Sequence, residues 1–407
     1  MASRRNSKTK PTGAASARAK KSSTGKPGAK NVSAKGSGTK KSSATPARPA
    51  KLAAKGAKKA AQSKAAPAKR AATSSVAKKA EPVKAVKLAP EAKKQLRPST
   101  KKPAFNKNTD SANDPSWVAP VWNDDVLLGA HVSVAGGSHE APRRAKAIGA
   151  TAMQIFTKMA NRWAERTCED SECRAFRDAL GQTDVRETIA HDSYLINLAT
   201  PDDTLRRRSI DSFTAELQRC AALGLTYLVS HPGNYIDDHA SGIRRNADGI
   251  TEALERAPGS TILCMEITSG SGTAIGSTFE DLAALIDGVP AHLRDRMGVC
   301  FDTCHAYSAG YDLVNGYDDV WKRFDDVIGL PRLKVMHLND SKTPFNSKRD
   351  RHDLIGEGSL GEAAFRFVMN DPRLARVSKV LETPKGTDPT AMDAKMIARL
   401  RSYIATG

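Results

Sequence analysis

TYLVSHPGNYIDDHASGIRRNADGITEALERAPGSTILCME, residues 226–266, carries the pattern that decides the fold. It opens on a short apolar run, TYLVSH (226–231), and closes on another, TILCME (261–266). Between them, residues 240–257 space their apolar side chains three and four apart, as an amphipathic helix does. Two short runs joined by a helix predict parallel strands, because a parallel pair needs a long crossover connection. Each run also ends on an ionisable side chain, His231 in the first and Glu266 in the second.

The unit repeats in both directions. The other apolar runs are LLGAHV (127–132), TAMQIF (151–156), ETIAHD (187–192), MGVCFD (297–302), LKVMHL (333–338) and SKVLET (378–383). Helix-like segments follow near 139–148, 169–180, 202–223, 278–287, 317–328, 361–369 and 389–404. Eight strand–helix units in about 290 residues predict an α/β fold closed into a (β/α)8 TIM barrel rather than an open sheet. No GxGxxG follows the first run, which disfavours a dinucleotide-binding doubly wound sheet.

The strand ends are the informative positions. His191, His231, Glu266, Asp302, His337 and Glu382 each close one of six runs. The C-terminal ends of barrel strands converge on one face, where such barrels place their active sites. His305 follows Asp302 by three residues, and Asp350 and His352 are two apart. So many polar groups at one mouth need compensation for lost hydration, and metal ions supply it. Imidazoles with carboxylates suit zinc or a similar first-row ion. Nine candidates exceed one tetrahedral site and predict two or three sites with a bridging carboxylate. Such clusters serve phosphoester hydrolysis.

Charge is divided along the chain. Residues 1–110 hold 30 Lys and Arg against 3 Asp and Glu, whereas the remainder holds 34 against 41. Residues 1–80 contain no acid and no aromatic residue and are mostly Lys, Arg, Ala, Ser, Gly, Pro and Thr in scraps such as AKKSS and APAKRAA. A segment so poor in apolar groups cannot offset the entropy of ordering. We expect a disordered basic tail and linker over 1–115, tethering non-specifically to DNA phosphates, and a barrel domain over 116–407. The six cysteines, Cys168, Cys173, Cys220, Cys264, Cys300 and Cys304, form no CxxC pair and read as reduced core residues. No apolar stretch is long enough to span a membrane. The start has no apolar signal segment, so we expect a protein that is not secreted: cytoplasmic or nucleoid-associated in a bacterium, nuclear in a eukaryote.

The motifs resemble those of the endonuclease IV family, the zinc-dependent apurinic/apyrimidinic endonucleases. The matching stretches are LLGAHVSVAGG (127–137), HDSYLINLA (191–199), HPG (231–233), MEITSGSG (265–272), GVCFDTCHAYSAGYD (298–312), MHLNDSK (336–342), DRHDLIGEG (350–358) and LET (381–383). The resemblance implies a TIM barrel holding three Zn2+ ions, with Mn2+ an alternative at one. His191, His231 and Glu266 would hold the first. Glu266 would bridge to a second, held also by Asp302, His337 and Glu382. His305, Asp350 and His352 would hold the third. It implies catalytic roles for Glu266, Glu382 and Asp302 in hydrolysing the phosphodiester 5′ to an abasic deoxyribose. The products would be a 3′-hydroxyl and a 5′-deoxyribose phosphate, and 3′-blocking groups would also be removed. The substrate would be double-stranded DNA containing abasic sites, the enzyme a monomer.

The same resemblance implies extrusion of the abasic nucleotide, with Tyr194 and Leu195 filling the gap. In FTKMANRW (156–163) the family pattern departs: many relatives place an Arg near the position of Asn161, so either Arg162 serves instead or this wedge is absent. His131 is expected beside phosphate or behind the metals. Asn339, Ser341 and Lys342 are candidate phosphate contacts, and Cys300 and Cys304 are packing residues. Two rivals remain. A metal-dependent sugar isomerase or epimerase on the same barrel explains Glu266, Asp302, His337 and Glu382 but leaves His191, His231, Asp350 and His352 idle. A catalytically dead chromatin binder explains the tail but not the full ligand set.

Overall fold

The computed structural model describes residues 126–405. The basic tail and linker expected over 1–115 lie outside the described residues, as does the expected start of the barrel domain at 116. Eight parallel strands close a barrel: β1 (Leu128–His131), β2 (Ala152–Phe156), β3 (Glu187–His191), β4 (Tyr227–Ser230), β5 (Ile262–Glu266), β6 (Met297–Asp302), β7 (Leu333–Leu338) and β10 (Ser378–Leu381). Each pairs with the next in chain order, and β10 closes on β1 with Gly129 beside Val380. The helices are α1 (Glu140–Ala147), α2 (Asp170–Leu180), α3 (Asp203–Leu223), α4 (His239–Arg256), α5 (Phe279–Gly288), α6 (Thr303–Ala309), α7 (Tyr317–Val327), α8 (Gly361–Asn370) and α9 (Pro389–Arg401). All eight expected helices are present within a few residues of their expected bounds.

The strands read as apolar runs because both faces are covered. Side chains alternate between faces, so residues two apart share one. Ile189, Val229, Cys264, Cys300, Val335 and Val380 form a buried cluster separate from the main core. On each of those six strands the residue two positions on is a candidate ligand: His191, His231, Glu266, Asp302, His337 and Glu382. The barrel interior is thus an apolar plug with a polar layer above it. The alternate residues, among them Leu228, Leu263, Met265, Phe301, Met336 and Leu381, face the helices and join Phe213, Phe279, Trp321, Phe324 and Phe365 in the main core.

Local signals set the helix ends. Asp202, Asp238, Thr278 and Asp388 accept from the backbone N–H three residues on and cap α3, α4, α5 and α9. Gly224 ends α3 in the left-handed region that glycine tolerates best.

Two elements were not anticipated. One is the short helix α6, which begins directly on the last residue of β6. The other is a hairpin of β8 (Asp340–Ser341) and β9 (His352–Asp353), an antiparallel flap after β7. The Asp340 carboxylate pins that flap by accepting from the backbone N–H groups of Gly358, Leu360 and Gly361 at 3.0, 2.9 and 3.2 Å. Among the described residues no helix is long and apolar enough to cross a membrane.

Candidate metal centre

The barrel delivers the six strand-end residues to one mouth. His191, Glu266, Asp302 and His337 lie within β3, β5, β6 and β7, while His231 and Glu382 stand one residue beyond β4 and β10. The other three arrive by local chemistry. Asp302 caps α6, its Oδ1 accepting from the His305 N–H at 2.8 Å, so His305 falls on the first turn over the mouth. The flap carries Asp350 and His352 to the same place: the His305 Nε2 lies 3.3 Å from Asp350 Oδ2, and the His352 Nε2 3.1 Å from Asp350 Oδ1.

Glu266 is the hub. Its fully buried carboxylate lies 3.3 Å from His191 Nε2, 3.1 Å from His231 Nε2, 2.9 Å from His337 Nδ1 and 3.3 Å from His305 Nδ1. Among the described residues five groups have ligand atoms all within 4.8 Å of one another: His191, His231 and Glu266; Glu266, Asp302, His337 and Glu382; Glu266, Cys300 and His337; Asp302, His305 and His352; and Cys304, Asp350 and His352. The first two are the sets that the resemblance implies; for the third, His305 and His352 group with Asp302, while Asp350 groups with His352 and Cys304. A cavity of about 340 Å³ opens above them, lined by His131, Phe156, Tyr194, His231, Asp350 and Lys385 among others.

Second partners orient the rings. The Nδ1 atoms of His191, His305 and His352 face the backbone carbonyls of Asp192, Ile267 and Glu382 at 3.0, 3.0 and 3.2 Å, which turns each Nε2 toward the centre. Asn339 donates to Asp302 Oδ2 at 2.7 Å and accepts from the Glu382 N–H at 3.0 Å. This corrects the expectation for Asn339: it is wholly buried and its amide is spent on two candidate ligands, so it does not meet phosphate. Ser341 is likewise buried, donating to the Thr343 carbonyl, whereas Lys342 is exposed on the flap.

The electrostatics show that the centre calls for positive charge. Burial pulls His191 down, but the Glu266 bond and charge, with Glu382 and Asp192, outweigh it and hold the imidazole at about 10. Burial opposes His352 as well, yet Asp302 and Asp350 raise it to about 9. His305 and His337 are raised by the same carboxylates against burial. Conversely, Glu266 and Glu382 are held well below the usual carboxylate range: burial works against them, and the surrounding imidazoles overcome it. Protons on the rings thus balance the carboxylates, and divalent cations at the same positions would replace those protons. The donor set therefore fits metal ions. Cys304 lies near Asp350 and His352, where burial pushes its thiol up to about 11 and favours the neutral form.

The mouth also places the expected DNA contacts. Tyr194 is 68 % exposed, beside Phe156 with ring centroids 5.4 Å apart. Leu195 beside it is half-buried. The Tyr194 N–H and the Ser193 hydroxyl both donate to the Ala160 carbonyl, at 3.1 and 2.6 Å, tying this loop to the one after β2. That second loop is braced from behind. Lys158, buried, donates to Glu165 at 2.5 Å, Ser212 at 2.9 Å and the Arg162 carbonyl at 3.3 Å, while Arg219 reaches Thr157 and Glu165. Arg162 and Asn161 are exposed on it. Met159, 60 % exposed, lines a second cavity of about 710 Å³ together with Tyr194, Asn161 and His131. Gly136 and Gly137, at φ +92° and +121°, make the turn after β1 that flanks this cavity.

Sequence reading missed two contributors. Gln154 of β2 is fully buried and bonds into the centre, and Phe156 packs its ring between His131 and His191 at 4.3 and 5.8 Å. The available signal was a polar residue inside the apolar run TAMQIF, on the inner face by alternation.

Comparison with known proteins agrees with the geometry. Residues 142–403 match the family model described as a xylose isomerase-like TIM barrel. The chain is 45 % identical over 265 residues to a probable endonuclease 4 of Geobacter sulfurreducens, covering 64 % of this chain and 89 % of that protein. It is 43 % identical over 279 residues to a probable endonuclease 4 of Trichlorobacter lovleyi, covering 68 % and 98 %. The crystal structure of endonuclease IV from Thermus thermophilus superposes with a TM-score of 0.61 at 34 % identity, covering 68 % of this chain and 99 % of that one. With this barrel, this ligand set and these relatives together, the chain belongs to the endonuclease IV family of apurinic/apyrimidinic endonucleases.

Proposed function

We propose that the protein hydrolyses the phosphodiester 5′ to abasic sites in duplex DNA with three divalent ions, zinc at two or all of the sites. The observation that carries this reading is the gathering of nine imidazole and carboxylate side chains at one mouth in overlapping groups, with four of the imidazoles against Glu266. When bound, such ions supply Lewis acidity: they neutralise phosphate charge and acidify water toward a pKa of ~7. His191, His231 and Glu266 would hold one ion; Glu266, Asp302, His337 and Glu382 a second; His305, Asp350 and His352 a third. Manganese is the alternative at the third, whose Asp350 is the most exposed of the carboxylates.

The protein's own groups carry the remaining steps. Glu382, unlike Glu266 and Asp302, is partly open to the cavity, which supports its orienting the attacking water and taking its proton. The water oxygen bonds to phosphorus as the bond to the 3′ oxygen breaks, leaving a 3′-hydroxyl and a 5′-deoxyribose phosphate. A 3′-blocking phosphodiester presents the same phosphate to the same groups, which supports a 3′-phosphodiesterase activity. Tyr194 lines the cavity, Leu195 follows it and Arg162 is exposed on the loop tied to theirs; these three would fill the gap left by an extruded nucleotide, and extrusion costs least where no base stacks. The tail, with its balance of +27 over residues 1–110, would hold undamaged DNA by counterion release.

The sugar isomerase alternative uses four of the nine groups and gives no role to His191, His231, Asp350 or His352. One experiment tests the proposal: elemental analysis of the purified protein, read beside incision of a duplex carrying a single abasic analogue. We expect two to three zinc equivalents and one cut on the 5′ side. A cut that survives complete chelation, or activity on aldoses with none on the duplex, overturns it.

A further inference from the structure

We propose that Gln154 is the positioning residue that sets the tautomers of His337 and His131, and through His337 the affinity of the metal site it shares with Glu382. This rests on the metal-dependent reading above and assigns a role to a residue outside the nine ligands.

Gln154 sits in the middle of β2, fully buried, and its amide makes three contacts. Nε2 lies 2.7 Å from Glu382 Oε1 and 3.0 Å from His131 Nδ1, and Oε1 lies 2.8 Å from His337 Nε2. The chemistry allows one assignment. An ionised carboxylate only accepts, so the amide nitrogen must face Glu382. Its second N–H then faces His131 Nδ1, which must accept, leaving the ring hydrogen of His131 on Nε2. The amide oxygen faces His337, so Nε2 of that ring carries its hydrogen and donates. The free lone pair of His337 is therefore on Nδ1, the atom turned to Glu266 at 2.9 Å and Glu382 at 3.3 Å.

A neutral imidazole binds a metal only through its unprotonated nitrogen, and the partner of the other nitrogen decides which that is. For His191, His305 and His352 the partner is a backbone carbonyl, which no substitution at the partner position removes. For His337 the partner is a side chain from another strand, and the ring is presented the other way round. Losing the amide would release His337 to the opposite tautomer and untie Glu382 at once. It would also free His131, which lines both cavities and whose Nε2–H would otherwise serve as a donor toward substrate phosphate.

The test is Gln154→Met, similar in length and without the three bonds. Wild type and variant are loaded with zinc and titrated with a competing chelator, with metal content, thermal unfolding and kcat and KM on abasic duplex as readouts. We expect the variant to release one zinc equivalent at chelator concentrations about 10- to 100-fold lower than wild type. kcat should fall by a similar factor and KM change little. A variant with wild-type zinc retention and kcat overturns the inference. Should the variant not fold, wild-type protein labelled with 15N-histidine decides. Among its nine histidines, a ring coordinated through Nδ1 with hydrogen on Nε2 supports the assignment, and coordination of every ligating ring through Nε2 refutes it. A wild type that binds no zinc would instead sink the metal-dependent reading itself, which distinguishes the two failures.

Discussion

Truncating Tyr194 to alanine separates recognition of the lesion from folding. The ring is 68 % exposed, so its loss uncovers little core and should leave stability within about 0.5 kcal/mol of wild type. Its ring neighbours are Phe156, edge-on with centroids 5.4 Å apart, and His191, tilted at 6.1 Å. An exposed aromatic ring at the mouth instead gains its partners from DNA. Stacking of a base on such a ring contributes roughly 1–3 kcal/mol by alanine substitution. At about 1.4 kcal/mol per factor of ten, this predicts a roughly 5- to 140-fold weaker Kd for duplex carrying an abasic analogue. Binding to the same duplex without the lesion should change far less, because phosphate contacts dominate there. The assay is a pair of titrations, damaged and intact, at fixed salt, with thermal unfolding as control. Equal weakening on both duplexes, or none on either, would refute the view that Tyr194 occupies the gap. A large loss of thermal stability would show that the ring supports the loop and not the DNA.

Glu382→Gln keeps the shape and can still accept from Gln154, but removes the proton acceptor; we expect kcat to fall by about 10²–10⁴ with abasic-duplex Kd within a few-fold, measured by single turnover and titration. Metal uptake should release protons, because carboxylates hold the metal-free His191 and His352 at about 10 and about 9, well above neutrality. Affinity should therefore rise with pH until those rings are neutral and fall as pH drops. Calorimetry at pH 7 in two buffers of different ionisation enthalpy would reveal this, and identical heats would contradict it. Deleting residues 1–110 should weaken binding to undamaged duplex and flatten its salt slope by ~0.9 per lost phosphate contact, with the chemical step in low salt unchanged; an unaltered slope would make the tail a bystander.

Much of the barrel and of its metal centre was legible in the sequence, for a definite reason. Strand side chains alternate with period two, so TILCME places Cys264 and Glu266 on one face, as MGVCFD places Cys300 and Asp302, whatever the rest of the chain does. Parallel closure then brings every such end to one mouth. Helix ends were equally local, because a cap such as Asp202 or Asp388 bonds three residues on. What only the tertiary structure decided is who answers whom across the barrel. The three partners of Gln154 lie 23, 183 and 228 positions away: His131 meets it across the β1–β2 pair, and His337 and Glu382 become neighbours only when β10 closes beside β1. Asn339, read from HLNDSK as a candidate phosphate contact, is buried between Asp302 and Glu382, 37 and 43 positions distant. A sequence specifies the face on which a polar side chain stands; the direction of its hydrogen bonds, and hence the nitrogen an imidazole offers, depends on groups that folding alone brings within about 3 Å.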